Sequence, residues 1–404
     1  MELDNILIKI LGIESPWNLK KVEVIHVADV VKIEIDYLRN CIFPCPNCGK
    51  ESKIYDGSYR EWRHLDFMQY KTYLNVKIPR TNCEECGILT LKEMPFGRMG
   101  SHYSFFFERL IMGKSYIMSV SAMSREISEP DNNLWRVIKY YVNQGLAHRK
   151  HQYLKKIAVD EKAYKKGHQY VSIFTDLDTG EVVFATPGRK KEVFEAFKNW
   201  LRSLGLDTHH VEIFSMDMSK SYQAGREKYF PKSELVFDRF HIKKLLNEFL
   251  DKVRKREVKT NNILLKTKYL WLKNEENLTE NQQNQMKELY NEMSIDTVKA
   301  YHQKQFFDSI WNASSQKVES LLQFWIAEVE ESGIKEMLRF VKSLKKNWNG
   351  IVKAMKTKIT NAVSEGINST IQLSKFRARG FRNLDNFISC IYLMNANLKF
   401  NFHN

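Results

Sequence analysis

All eight prolines of the 404-residue chain lie at or before Pro231, and no glycine falls between Arg226 and Ser332. Gly and Pro are the main breakers of regular structure. The first half is therefore turn-rich, and the second is a long helical region. Residues 1–100 alternate short β-like runs with turns. Val22–Ile35 reads as one or two strands, and Tyr70–Ile78 alternates with period two and ends at Pro79. Residues 101–150 form the next region, helical over 104–148: Met118–Ile127 and Asn133–Val142 flank a turn at Ser128–Asn132, the outline of a helix-turn-helix. That pattern also suits any packed pair of helices.

Residues 151–245 change character. Strands are expected at Ile157–Ala163, Tyr170–Asp176, Val182–Thr186, Val211–Met216 and Leu235–Phe237. Lys190–Leu204 is an amphipathic helix with Val193, Phe194, Phe197, Trp200 and Leu201 on one face, and Ser219–Tyr229 is a second helix. Three strands, helix, strand, helix, strand suits a mixed sheet in which one crossover brings the first and fourth strands together in parallel. Residues 246–340 are a long helical segment, anchored by Trp271, Trp311, Phe324 and Trp325. Residues 341–404 form the last region.

Four of the six cysteines fall in two pairs, Cys45-Pro-Asn-Cys48 and Cys83-Glu-Glu-Cys86, each followed by a glycine that allows the bend. Two such knuckles make a closed, structural four-sulfur zinc site. The 34 residues between them leave room for a hairpin, so the expected form is a zinc ribbon. Cys41 is a rival ligand of lower merit, and Cys390 reads as an ordinary buried cysteine.

The net charge of +15 implies a polyanionic partner. Its strongest concentration lies between Val341 and Leu384. Ten Lys or Arg stand there with a single acid, Glu365. A carboxylate in such a run opposes phosphate binding unless it holds a cation where a phosphate is cut. Asp160 and Asp217 end apolar runs, and on neighbouring parallel strands they would share one sheet edge. Carboxylates that close need a cation to stay ionised, and with Glu365 they make an oxygen-rich site for Mg²⁺ or Mn²⁺. Asp238 and His241, in Phe237-Asp238-Arg239-Phe240-His241, read equally as a helix cap with a packed imidazole or as neighbours of that site. No apolar run approaches the ~20 residues of a membrane span. The opening MELDNILIKILGIESPW has acids where a signal peptide needs bases, so a cytoplasmic, nucleoid-associated protein is expected.

With these residues in view, the chain resembles bacterial insertion-sequence transposases of the DDE type, in the ISL-type family. The resemblance rests on CPNCG … CEECG, Trp62-Arg63-His64-Leu65-Asp66, VDE at 159–161, MDMSKSY at 216–222, FDRFH at 237–241 and SEGINSTIQLSKFRARGFRN at 364–383. It implies an α/β fold: an RNase H-like mixed-sheet catalytic core with a large helical insertion, preceded by a β-rich zinc ribbon and a helix-turn-helix. By motif match it implies that Asp160, Asp217 and Glu365 bind two catalytic Mg²⁺ or Mn²⁺ ions. It further implies that Lys375, Arg377, Arg379 and Arg382 contact DNA phosphates, with Asn368 beside the metal ligands. The family often has Asn-Asn after its Glu-Gly, where this chain has Asn368-Ser369. The partners so implied are terminal inverted repeats and target DNA, handled by a homodimer. Two other classes account for part of the pattern: a non-catalytic zinc-ribbon DNA-binding regulator, and an RNase H-like nuclease of repair or RNA processing.

Overall fold

The computed structural model describes residues 2–150, 153–165, 169–273, 277–290, 296–359 and 362–402. The chain forms two compact units: Met1–Arg149 with Ser374–Arg379 and Leu398–Asn404, and Lys150–Leu373 with Gly380–Asn397.

In the first unit, α1 (Glu2–Ile10) leads into β1 (Trp17–Ile25), β2 (Val30–Tyr37), β3 (Ile42–Pro44), β4 (Glu51–Phe67), β5 (Tyr70–Cys83) and β6 (Gly87–Thr90). The sheet order is β1-β2-β5-β4-β3, with β6 also on β5. Val22–Ile35 is thus two strands, broken by a 3-10 turn at His26–Ala28 and left-handed Asp29 (φ 50°). Along β5, Leu74, Val76 and Ile78 are buried, as period-two alternation requires. They pack around the fully buried Trp62. Pro79 does not end β5. Its carbonyl accepts from Leu91 N–H, on the side away from β4. A strand residue's N and O point the same way, so the missing donor falls in the gap between β2, which pairs up to Val76, and β6, which pairs from Arg80.

The helices α2 (Phe105–Ser115), α3 (Val120–Ile127) and α4 (Asp131–His148) follow. Ser104 and Ser119 cap α2 and α3 through their hydroxyls. Left-handed Ser128 closes α3, and Pro130 sits at the N-cap of α4, where a missing N–H costs nothing.

The second unit contains β7 (Lys156–Lys165), β8 (Gln169–Asp176), β9 (Val182–Pro187), α5 (Glu192–Ser203), β10 (Ile213–Met216), α6 (Lys220–Tyr229) and β11 (Glu234–Phe237). Its sheet order is β11-β10-β7-β8-β9. β7, β8 and β9 are antiparallel, whereas β10 runs parallel to both β7 and β11. The first and fourth strands of the unit are therefore parallel neighbours, as the order of elements predicts. Beneath the sheet, Val193, Phe194, Phe197 and Leu201 of α5 are buried, and the Phe197 ring stacks on Phe174 at 4.4 Å. Trp200 is only half-buried, stacked on Phe184.

Then come α7 (Arg239–Glu257), α8 (Lys268–Leu272), α9 (Glu280–Tyr290), α10 (Asp296–Ile310), α11 (Val318–Ser332), α12 (Lys335–Lys346), α13 (Trp348–Thr357), α14 (Ala362–Arg377) and α15 (Leu384–Asn395). Trp271, Trp311 and Trp325 are buried in one core that reaches Val236 and Phe237 of β11. Phe324 is 57% exposed rather than an anchor, because it lies on the outer side of α11, with Trp325 turned inward. Cys390 is half-buried on α15. Tyr392 of α15 accepts the Ala185 N–H at 2.7 Å, docking that helix on β9.

Candidate active site

The parallel pairing of β7 and β10 fixes where the aspartates go. Ile213, Phe214 and Ser215 lie opposite Lys156, Ile157 and Ala158. Asp160 follows two residues later on β7, and Asp217 is the first residue after β10. Both come out at the same end of the two strands. They line one cavity of about 270 Å³ together with Lys162, Asp238, Phe240, His241, Ser364, Glu365 and Asn368. Asp160, Asp217 and Glu365, the last two separated by 147 intervening residues, thus share one opening.

Each carboxylate is held differently. Asp160 Oδ2 accepts from Asn368 Nδ2 at 2.7 Å and lies 3.3 Å from Lys162 Nζ, while Oδ1 accepts the Glu161 N–H. Asp217 Oδ1 accepts the Ser219 N–H at 3.0 Å. Burial raises the Asp217 pKa above the usual carboxylate range, and the Asp160 and Asp238 charges add to the shift. Glu161 is raised too, first by burial and then by Asp217. Glu365 is exposed, on the first turn of α14.

The two readings of Asp238 coexist. Its Oδ1 caps α7 by accepting the Phe240 N–H, and its Oδ2 meets His241 Nδ1 at 3.0 Å. That bond raises the His241 pKa, and both residues face the cavity. Lys162 escaped the sequence reading. Its signal was the period of two, which puts it on the face of β7 that carries Asp160. Ser364 escaped as well; its hydroxyl is buried without a hydrogen-bond partner.

The donor set suits a hard cation: carboxylate and amide oxygens, with one carboxylate whose burial disfavours its charge. The three carboxylates do not crowd together. Among the described residues, only the four thiols of Cys45, Cys48, Cys83 and Cys86 form a group whose ligand atoms all lie within 4.8 Å of one another. Cys48 Sγ and Cys83 Sγ are 3.6 Å apart. A tetrahedral zinc with bonds of ~2.3 Å puts its sulfurs about 3.8 Å apart, so the cluster is already at zinc spacing. Gly49 and Gly87, at φ 74° and 76°, supply the turn after each pair. Cys41 stands outside the group.

The four basic candidates do not line the cavity. Lys375, Arg377 and Arg379 group with the first unit, where Arg377 Nη1 donates to the Tyr116 carbonyl at 3.2 Å. Arg382 is exposed just before α15. Elsewhere in the basic run, Lys345, Lys353 and Lys356 pair with Glu330, Glu234 and Glu319.

The chain matches known proteins along most of its length. Residues 157–391 match the model of the ISL3 transposase family, described as a transposase. The chain belongs to the ISL3 transposase family. Residues 43–86 match a second model, the zinc finger of the transposases of IS204, IS1001, IS1096 and IS1165, and that match begins and ends around the two cysteine pairs. The chain is 25% identical over 357 residues to the transposase for insertion sequence element IS1001 of Bordetella parapertussis, covering 85% of this chain and 86% of that one. It is 22% identical over 375 residues to the transposase for IS1557 of Mycobacterium tuberculosis, covering 84% and 82%. The mixed α/β architecture with a β-rich zinc-ribbon region is that expected of the family. Among the described residues, no helix is long and apolar enough to cross a membrane.

Proposed function

We propose that this family member is an active, metal-dependent DNA transposase. It binds the terminal inverted repeats of its own insertion sequence, cuts at their ends and joins the 3′ ends to target DNA. The observation that carries the proposal is the shared cavity of Asp160, Asp217 and Glu365, which come from two parallel strands and a distant helix.

In this reading Asp160, Asp217 and Glu365 hold two Mg²⁺ or Mn²⁺ ions. Such a pair supplies charge neutralisation at the scissile phosphate and activation of a water or a 3′-hydroxyl. The protein's own groups do the positioning. Asn368 and Lys162 fix the orientation of Asp160. Asp238 holds the His241 imidazole at the rim, where its raised pKa favours a cation facing the substrate's negative charge. The four-cysteine site holds structural zinc, and with the α3–α4 pair it serves end recognition. Lys375, Arg377, Arg379 and Arg382 contact phosphates. Two ends handled together call for a homodimer, working on the nucleoid in the cytoplasm. The domain boundaries at residues 100, 150, 245 and 340 remain the working division of these roles.

The test is strand cleavage and joining on a labelled duplex ending in the element's inverted repeat, with Mg²⁺ or Mn²⁺. Wild-type activity that disappears in Glu365→Gln, with end binding retained, supports the proposal. Specific binding without cleavage by wild type refutes it in favour of a regulator, and cleavage indifferent to the inverted repeat favours a nuclease.

A further inference from the structure

The end of β11 separates two openings. Asp238 lines the carboxylate cavity, and the preceding Phe237 lines a second cleft of about 580 Å³. The cleft runs along the edge strand β11, with Ser233, Glu234, Leu235 and Phe237 in its lining. Its charged lining is Arg226 on α6, Lys345 and Lys346 at the end of α12, and Lys353 on α13, against Glu227 and Glu234.

Three features make this lining receptive to an anion. First, Arg226 is incompletely partnered. Its Nη1 donates to the Ser233 carbonyl at 2.5 Å and its nearest carboxylate, on Glu227, is 3.8 Å away, while its Nε is buried with no hydrogen-bond partner. A guanidinium prefers a fork of acceptors such as a phosphate offers. Second, α13 begins in the cleft. Gly350 seats it there: a Cβ on Gly350 would come 2.5 Å from the Phe237 ring. No side chain caps that helix at Asn347, and Trp348, Asn349 and Gly350 of its first turn line the cleft. Third, the lysines are available. Lys345–Glu330 at 2.6 Å and Lys353–Glu234 at 2.7 Å are surface pairs, which contribute little and exchange readily. Lys346 is exposed, with no ion pair among the described residues.

We infer that this cleft binds the phosphate backbone of DNA, as a second DNA-binding surface of the catalytic unit beside the carboxylate cavity. Naming the polyanion as DNA rests on the transposase reading.

The test uses the full-length protein and duplexes of unrelated sequence, titrated at several salt concentrations between about 50 and 200 mM. Removing one cation that neutralises a phosphate should lower the slope of log K against log salt by about 1, equally for every sequence. Lys346→Gln should lower it by about 1 and Arg226→Gln/Lys346→Gln by about 2, with Lys335→Gln, an exposed lysine outside the cleft, unchanged. If Arg226→Gln does not fold, Lys346→Glu decides alone. Slopes unchanged in the cleft variants overturn the inference, as do decreases confined to one sequence, or polyglutamate competing as well as the duplex at Lys346. Normal cleavage with unchanged slopes defeats the cleft and spares the transposase reading; lowered slopes in a protein that never cleaves do the reverse.

Discussion

Asn368 Nδ2 donates to Asp160 Oδ2 at 2.7 Å, joining residues 208 positions apart. The bond orients the Asp160 carboxylate and ties the first turns of α14 to β7. Removing a partner that orients a metal ligand typically costs 10–100-fold in metal affinity or activity. Asn368→Ala should therefore cleave about 10–100-fold more slowly at low Mg²⁺ and recover partly as Mg²⁺ is raised. Cleavage rates across a Mg²⁺ titration check this; an unchanged profile would show that Lys162 orients Asp160 unaided.

Asp217 is held neutral more readily in the folded protein than in the unfolded chain, chiefly because it is buried. A carboxylate with a raised folded pKa favours the folded state at low pH and costs stability once pH rises through that pKa. At neutral pH without divalent metal, Asp217→Asn should therefore melt above wild type while losing cleavage. Mg²⁺ at ~100 times its Kd should stabilise wild type by about 2.7 kcal/mol and the variant far less. Melting curves with and without Mg²⁺ separate the two; equal Mg²⁺ stabilisation would exclude Asp217 as a ligand.

His64 is buried, with Nδ1 2.8 Å from Ser104 Oγ, and burial lowers its pKa to about 4. A depressed folded pKa means that stability is intact above the unfolded value of about 6.5 and is lost as pH falls toward 4. The span corresponds to roughly 3 kcal/mol. Unfolding of zinc-loaded protein between those limits should show that loss, and His64→Asn should flatten it.

Cys48→Ser removes one of four sulfurs already at zinc spacing. Structural zinc contributes folding energy directly, so this variant should bind less than one zinc per chain and lose the cooperative unfolding of the first unit. Zinc content by mass spectrometry together with circular dichroism provides the check. Full zinc occupancy in the variant would move the site elsewhere.

Gly225 lets α6 lie against α5. A Cβ there would come 2.6 Å from the buried Phe194 ring and 3.0 Å from the Lys191 carbonyl. Gly225→Ala should destabilise the second unit by ~1–3 kcal/mol through overpacking, visible as a lowered denaturation midpoint. An unchanged midpoint would mean that the two helices can separate at no cost.

The sequence by itself determined most elements of the second unit and the four-cysteine cluster. Short apolar runs marked β7 to β11, the apolar face of α5 was readable from Val193 to Leu201, and the paired cysteines announced their cluster, because each signal lies within a few residues of chain. Even the parallel meeting of β7 and β10 followed from the order of elements. Only the tertiary structure decided the rest. It continued β5 through Pro79 by leaving that nitrogen facing a gap between β2 and β6, and it turned Phe324 outward. It spent Lys345, Lys353 and Lys356 on distant acids, and it brought Asn368 and Lys162 to Asp160. The physical reason is range. Backbone preference and hydrophobic period act over a few residues, whereas a partner 208 positions away is set by how whole strands and helices pack.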